Sequence, residues 1–219
     1  MRRKQLIERW KTDYDFKTFA GAVGSLFVTA IFALYNGFLG VYHSSLWHGT
    51  ICVYYIVLVA IRAFIVAAEK KLSQNEGQDR ARSKVYIASA VMLLILNVSL
   101  IVPIALMVKQ QKPVGMTLIP AIAIAAYTTY KIVMASVNMK KKKTSSNSLV
   151  KLLRTISFID ALVSVLTLQN TLIMVHSKGK DIGMIPLTSV TSGAVWAAVL
   201  LLSVAAIAGG VRKRREDNE

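Results

Sequence analysis

The chain has 219 residues, 54% of them apolar, a net charge of +16 and a mean hydropathy of +0.51, which is more apolar surface than one soluble core of this size can cover. Its basic residues flank hydrophobic runs instead of interleaving with aromatic residues, which excludes a nucleic-acid-binding module. A single cysteine, Cys52, excludes an intrachain disulfide framework and a thiolate metal cluster.

The first eighteen residues form a basic segment, followed by an apolar run from about 19 to 41 that is too long for a signal-peptide core and reads as a retained first span. Leu6, Trp10 and Tyr14 fall at i, i+4 and i+8. The segment is therefore either a helix lying on the inner leaflet or a solvated basic tail. Further apolar runs follow at about 46–68, 85–108, 116–138, 149–175 and 185–210, before a basic tail at 211–219. Each can cross a hydrocarbon layer of about 30 Å. A span must satisfy its own backbone hydrogen bonds, and none of these runs alternates as a barrel strand does. The expected fold is all-α: a polytopic bundle of six transmembrane helices forming one membrane domain over residues 1–219.

Lys and Arg set the orientation. The N-terminal segment, the second and fourth connections and the C-terminal tail together hold 21 of the 27 basic residues. The other side has only Lys109, Lys112, Lys178 and Lys180. The positive-inside rule then puts both termini in the cytoplasm, as a multi-pass protein of the cell membrane. Trp47 and Trp10 fit interfacial anchors. The tract Lys140 to Lys143 with Thr144, Ser145, Ser146 and Asn147 reads as a flexible cytoplasmic linker whose charge either fixes topology or touches anionic lipid, not nucleic acid. Ala33-Leu34-Tyr35 and Ala125-Ala126-Tyr127 occupy similar late positions in spans one and four, which allows two inverted three-helix halves. Apolar helices share this much similarity by composition alone, so duplication stays an open expectation.

Arg62 and Lys131 are the basic residues inside spans, and Asp160 is the acid well inside one. Such residues cost several kcal/mol to insert and ordinarily face the bundle interior or water. By helix rise, Arg62 lies roughly 9 Å and Lys131 roughly 10 Å from the cytoplasmic ends of their spans, with Asp160 roughly 16 Å deep. Asp160 can pair with Arg62 or Lys131, leaving a net positive charge that favours an anion. The competing reading has both basic residues snorkelling to the headgroups while Arg154 or Ser164 satisfies Asp160. Tyr127, Tyr130 and Gln169 are candidates to line a polar path with these three; packing between spans is the alternative. Asn36, Tyr54, Tyr55, Asn97 and Asn170 read as interhelical hydrogen-bonding groups.

His43, His48 and His176 fall on the outer side, where a metal site or pH sensor would lack partners other than Asp181; no metal site is expected. Ser189, Gly193 and Ala197, and Ala20 with Gly24, have the fourfold spacing of close helix packing. Pro103 and Pro120 are positioned to bend spans three and four. No H-E-x-x-H, serine elbow, cysteine pair or phosphate-cradling glycine loop occurs, so neither an enzyme nor a cofactor is expected.

The string Tyr35-Asn36-Gly37, Leu39-Gly40, Ser45, Trp47, Tyr54-Tyr55 and Arg62 resembles an uncharacterised family of bacterial six-span integral membrane proteins. So does the second half, through Tyr127-Thr128-Thr129-Tyr130-Lys131, Asn138, Arg154, Asp160-Ala161-Leu162-Val163-Ser164 and Leu168-Gln169. The resemblance implies no activity. It implies that the polar residues of spans one, two, four and five belong to the family's pattern.

Two functions follow from these residues. One is a small-solute or ion transporter or channel-like protein with a polar site among spans two, four and five. The other is a non-catalytic scaffold or accessory subunit whose basic loops bind a partner or anionic lipid. The expected surroundings are the lipid bilayer and a second copy or another membrane protein.

Overall fold

The computed structural model describes residues 14–72, 79–110, 118–140, 147–177 and 185–216. All seven elements among them are helical: α1 (Tyr14–Tyr42), α2 (Leu46–Leu72), α3 (Asp79–Ser99), α4 (Ile101–Gln110), α5 (Leu118–Lys140), α6 (Ser148–Ser177) and α7 (Ile185–Glu216). α3 and α4 are one rod interrupted at Leu100, so the described residues make six rods. Among the described residues, five segments are long and apolar enough to cross a bilayer: Val23–Tyr42, Leu46–Leu72, Arg80–Ala105, Leu118–Val137 and Ser189–Arg212. The protein is thus polytopic, all-helical and largely membrane-spanning. The amphipathic reading of Leu6 and Trp10 lies outside the described residues, as do Lys141 to Lys143.

α6 is not among the five. Its 30 residues suffice by length, at about 45 Å. It differs in being the innermost rod. Leu149, Leu152, Ile156, Ile159 and Val163 are all buried along it, and it touches α1, α2, α3, α5 and α7. Around it the most extensive pairings are α1 on α2, α5 on α6 and α3 on α7. The outward faces remain apolar. On α1, Phe27, Ile31, Leu34 and Phe38 recur at three- and four-residue spacing and are each more than 60% exposed, while Thr29, Phe32, Asn36 and Leu39 turn inward. That is the pattern of a helix with lipid on one side and protein on the other.

The α3–α4 break has a local cause. Pro103 lacks the N–H that would bond the Ser99 carbonyl, and its ring crowds that carbonyl. Just before the break the Asn97 carbonyl accepts from the Leu100 N–H at 3.3 Å, a tightened turn, and from Trp196 Nε1 of α7 at 3.1 Å. Pro120 does not bend its helix, because it lies in the first turn of α5, where an N–H has no intrahelical acceptor to lose.

α1 and α2 form the tightest hairpin. α1 ends with the Ser45 N–H bonded to the Gly40 carbonyl at 2.9 Å and Ser44 at φ 50°, a left-handed helix cap carried by a serine where glycine is usual. Ser44→Gly is expected to raise stability by about 0.5–1 kcal/mol, the relief of the Cβ penalty less the added unfolded-state entropy. A denaturant titration of the solubilised protein measures it.

Close approach depends on different glycines from those the spacing picked out. A Cβ on Gly24 or Gly193 would meet nothing within 4 Å. One on Gly40 would sit 2.9 Å from the Gly49 nitrogen, and one on Gly37 would sit 3.0 Å from Cys52 Sγ. Fourfold spacing reports only that small residues share a helix face, not that the face meets another helix. Trp47 also departs from expectation: it is buried in the bundle and is not an exposed interfacial anchor.

Candidate functional site

Polar side chains are arranged in layers along the bundle. At the end where α1 turns into α2, His48 Nδ1 lies 3.0 Å from Asn36 Oδ1, and Asn36 Nδ2 donates to the Phe32 carbonyl at 2.9 Å. Further along, Tyr54 donates to Asn97 Oδ1 at 3.0 Å and Asn97 Nδ2 to Ser203 at 2.8 Å, tying α2, α3 and α7 together. At the opposite end Asn147 Nδ2 donates to Glu69 Oε1 at 2.7 Å, with Arg82 Nη2 at 3.6 Å from the same oxygen. Asn147 is thus not just linker: its Oδ1 also accepts from the Leu149 N–H at 3.0 Å, capping α6.

Between these layers lies the cluster of ionisable groups. Arg62 of α2 places Nη2 at 3.0 Å from Asp160 Oδ2, and Lys131 of α5 donates to Asp160 Oδ1. Asp160 stands twelve residues into α6, about 18 Å from its start. All three side chains are at most 8% exposed. The snorkelling alternative is therefore corrected: both cations turn inward, because a carboxylate at their own depth offers an interaction that water at the headgroups would screen. Nor does Asp160 choose between them, since each carboxylate oxygen takes one.

Short hydroxyl side chains complete the shell. Arg62 Nη1 donates to Ser25 at 3.1 Å and to Thr29 at 3.2 Å, and Nη2 reaches Ser157 at 3.4 Å. Ser157 returns its own proton to the Leu153 carbonyl at 2.9 Å, which leaves its oxygen free to accept. The Thr29 hydroxyl lies 2.9 Å from the Ser25 carbonyl and 3.3 Å from Asp160 Oδ2, and its single hydrogen serves one of these at a time. Ser164, weighed as a partner for the Asp160 carboxylate, instead donates to the Asp160 backbone carbonyl at 2.8 Å and pairs with the Tyr55 hydroxyl at 3.1 Å.

Three aromatic rings enclose the ammonium group. Lys131 Nζ lies 4.7 Å from the Tyr127 centroid, 4.9 Å from Tyr55 and 5.9 Å from Phe32, within the range of cation–π attraction. Tyr127 and Phe32 themselves stack with centroids 3.8 Å apart. Phe32 and Thr29 are the functional neighbours that sequence reasoning missed, because nothing in an apolar run distinguishes an inward phenylalanine from one facing lipid.

The candidate residues divide accordingly. Arg62, Lys131, Asp160 and Tyr127 converge. Tyr130 does not: it is half exposed on the outer surface of α5. Gln169 lies nine residues beyond Asp160, about 13 Å along α6, where its amide donates to Thr191 of α7. The polar path proposed through Tyr130 and Gln169 is thus not assembled. Helix geometry is the reason, since Tyr130 and Lys131 are neighbours in sequence and must point about 100° apart.

Compared with family models, with curated proteins and with solved structures, the chain has no match in any of the three. What the cluster can do therefore follows from its own chemistry: hold a positive excess, buried and hydrogen-bonded, within a helical bundle.

Proposed function

We propose that the protein is a non-enzymatic small-solute or ion transporter or channel-like protein whose polar site is built on Arg62, Lys131 and Asp160. One observation carries this reading. Three helices each place an ionisable side chain at the same depth, where an isolated charge costs several kcal/mol and a purely apolar contact would pack the rods at no such cost. In this reading all six rods cross the membrane, α6 as the lining helix, with both termini in the cytoplasm.

The arrangement of rods supports two inverted halves. The hairpins α1–α2 and α5–α6 correspond in order and extent, and α3 meets α7, the third rod of each half. Transporters built from inverted repeats place their substrate where the halves meet, and Arg62 of the first half meets Asp160 of the second.

A second reading rests on the completeness of the hydrogen bonding. Asp160 has both oxygens satisfied, which suits a packed scaffold whose polar core fixes helix register. Accessibility separates the two readings. In a Cys52→Ala background, Ser157→Cys and Ser164→Cys are expected to react with a membrane-impermeant thiol reagent, because a transport path must admit water to that depth. Protection of both positions from either side would reject the transport reading in favour of the scaffold.

A further inference from the structure

The cluster is unbalanced in charge. Among the described residues Asp160 has two ion pairs, to Arg62 and to Lys131, so two cations share one carboxylate and the formal charge of the group is +1. Asp160 acts as a bridging anion between rods, Oδ2 on one cation and Oδ1 on the other. Without its carboxylate the same gap would be an anion cradle: a guanidinium, an ammonium and the hydroxyls of Ser25, Thr29 and Ser157. One donor of that cradle is already unused, since Arg62 Nε is buried with no hydrogen-bond partner. A guanidinium fork opposite an ammonium suits a planar oxyanion that can accept from both.

Resting on the transport reading above, we propose that this cradle binds a small monovalent oxyanion, a monocarboxylate or a planar isostere, which takes the bridging place of Asp160 when that side chain accepts a proton. The charges balance. A proton from water neutralises the Asp160 carboxylate, which by itself would raise the cluster from +1 to +2, and the entering anion returns it to +1. No covalent bond other than O–H is made. A second uncompensated charge at this depth is costly, so proton and anion enter together, one with one.

The groups that face Asp160 are consistent with such an exchange. α2 presents Arg62, with Tyr55 beside it; α5 presents Lys131 and Tyr127; α1 presents the neutral Thr29. On α6 itself Ser157 and Ser164 lie one turn to either side. α7 meets α6 through Thr191 and Gln169 further along, and among the described residues neither α3 nor α7 brings a charged group into an ion pair with Asp160. The carboxylic acid, once neutral, can donate its O–H to a neighbouring hydroxyl and vacate both cations.

The test uses the full chain in detergent, with nitrate and formate as probes and gluconate as a control too large for a gap spanned by one carboxylate. Nitrate and formate are expected to raise the thermal midpoint, and to bind about tenfold more weakly per unit of rising pH wherever one proton is taken up with each anion. Adding nitrate to lightly buffered wild-type protein should make the medium more alkaline by one proton per anion bound. Asp160→Asn, which mimics the neutral acid, should bind nitrate without taking up a proton. The proton measurement on the wild type stands whether or not that variant folds. Absence of nitrate binding at acidic pH, binding without proton uptake, or equal stabilisation by gluconate would each overturn the proposal. Labelled cysteines with no nitrate binding would sink this inference alone, whereas nitrate binding with protected cysteines would sink only transport.

Discussion

Asp160→Asn is expected to lower stability by about 3–5 kcal/mol, the range for removing one member of a buried ion pair and leaving its partner uncompensated. The loss should be at the upper end of that range, because two cations are stranded by one substitution. Arg62→Gln in the same chain is expected to return about 1–3 kcal/mol, the coupling typical of directly contacting charged groups. Lys131→Gln should return less. A guanidinium stays charged in a protein, whereas an ammonium can release its proton, so removing the arginine relieves the cost that has no other outlet. The single and double variants, compared by equilibrium unfolding in mixed detergent micelles, form a cycle. Strictly additive effects would show that the 3.0 Å contact between Arg62 and Asp160 contributes nothing to folding. Addition of nitrate to Asp160→Asn should recover part of the loss if the anion cradle exists.

Gly40→Val is expected to cost about 2–3 kcal/mol and to spread the α1–α2 hairpin, whereas Gly193→Ala should be neutral or stabilising by up to about 1 kcal/mol. The contrast comes from what lies opposite. A Cβ at Gly40 would lie 2.9 Å from the Gly49 nitrogen, 3.2 Å from its Cα and 3.4 Å from the His48 carbonyl carbon, all of them backbone that cannot rotate aside. At Gly193 the same atom meets open space, and alanine improves helix propensity. Gly210 is intermediate: a Cβ there would press within 2.6 Å of the Tyr86 ring, a side chain that can swing away. Measured midpoints in the order Gly193→Ala, Gly210→Ala, Gly40→Val, from highest to lowest, would match these neighbours. Equal effects at Gly40 and Gly193 would mean that the hairpin does not depend on backbone approach.

Spreading α1 from α2 would reach the charged cluster too. Thr29 and Ser25 contact Arg62 only because the hairpin holds those faces together, and Phe32 covers Lys131 from the same helix. The tightest helix contact and the buried charge are thus parts of one assembly, although the turn at Ser44 and the cluster stand more than a dozen residues apart on α1.

Hydropathy and charge, readable without any fold, determined that this chain is a set of membrane-length helices, that Arg62, Lys131 and Asp160 lie at comparable depth, and that the pair involving Asp160 was available. Depth is legible because helix rise is constant, so distance along a rod follows directly from residue number. Rotation about the rod is not. In a water-soluble helix the polar face marks the outside, but in lipid both faces are apolar, and Phe27 and Phe32 look alike until one is seen to be exposed and the other buried. Only the tertiary structure decided that Asp160 holds both cations at once, that Tyr127 faces the cluster while Tyr130 faces out, that Gln169 bonds to Thr191 of α7, and that Gly40 rather than Gly193 lets two backbones meet. Each of those outcomes depends on which side of a helix meets which neighbour, and packing between rods settles that after every rod has already satisfied its own backbone.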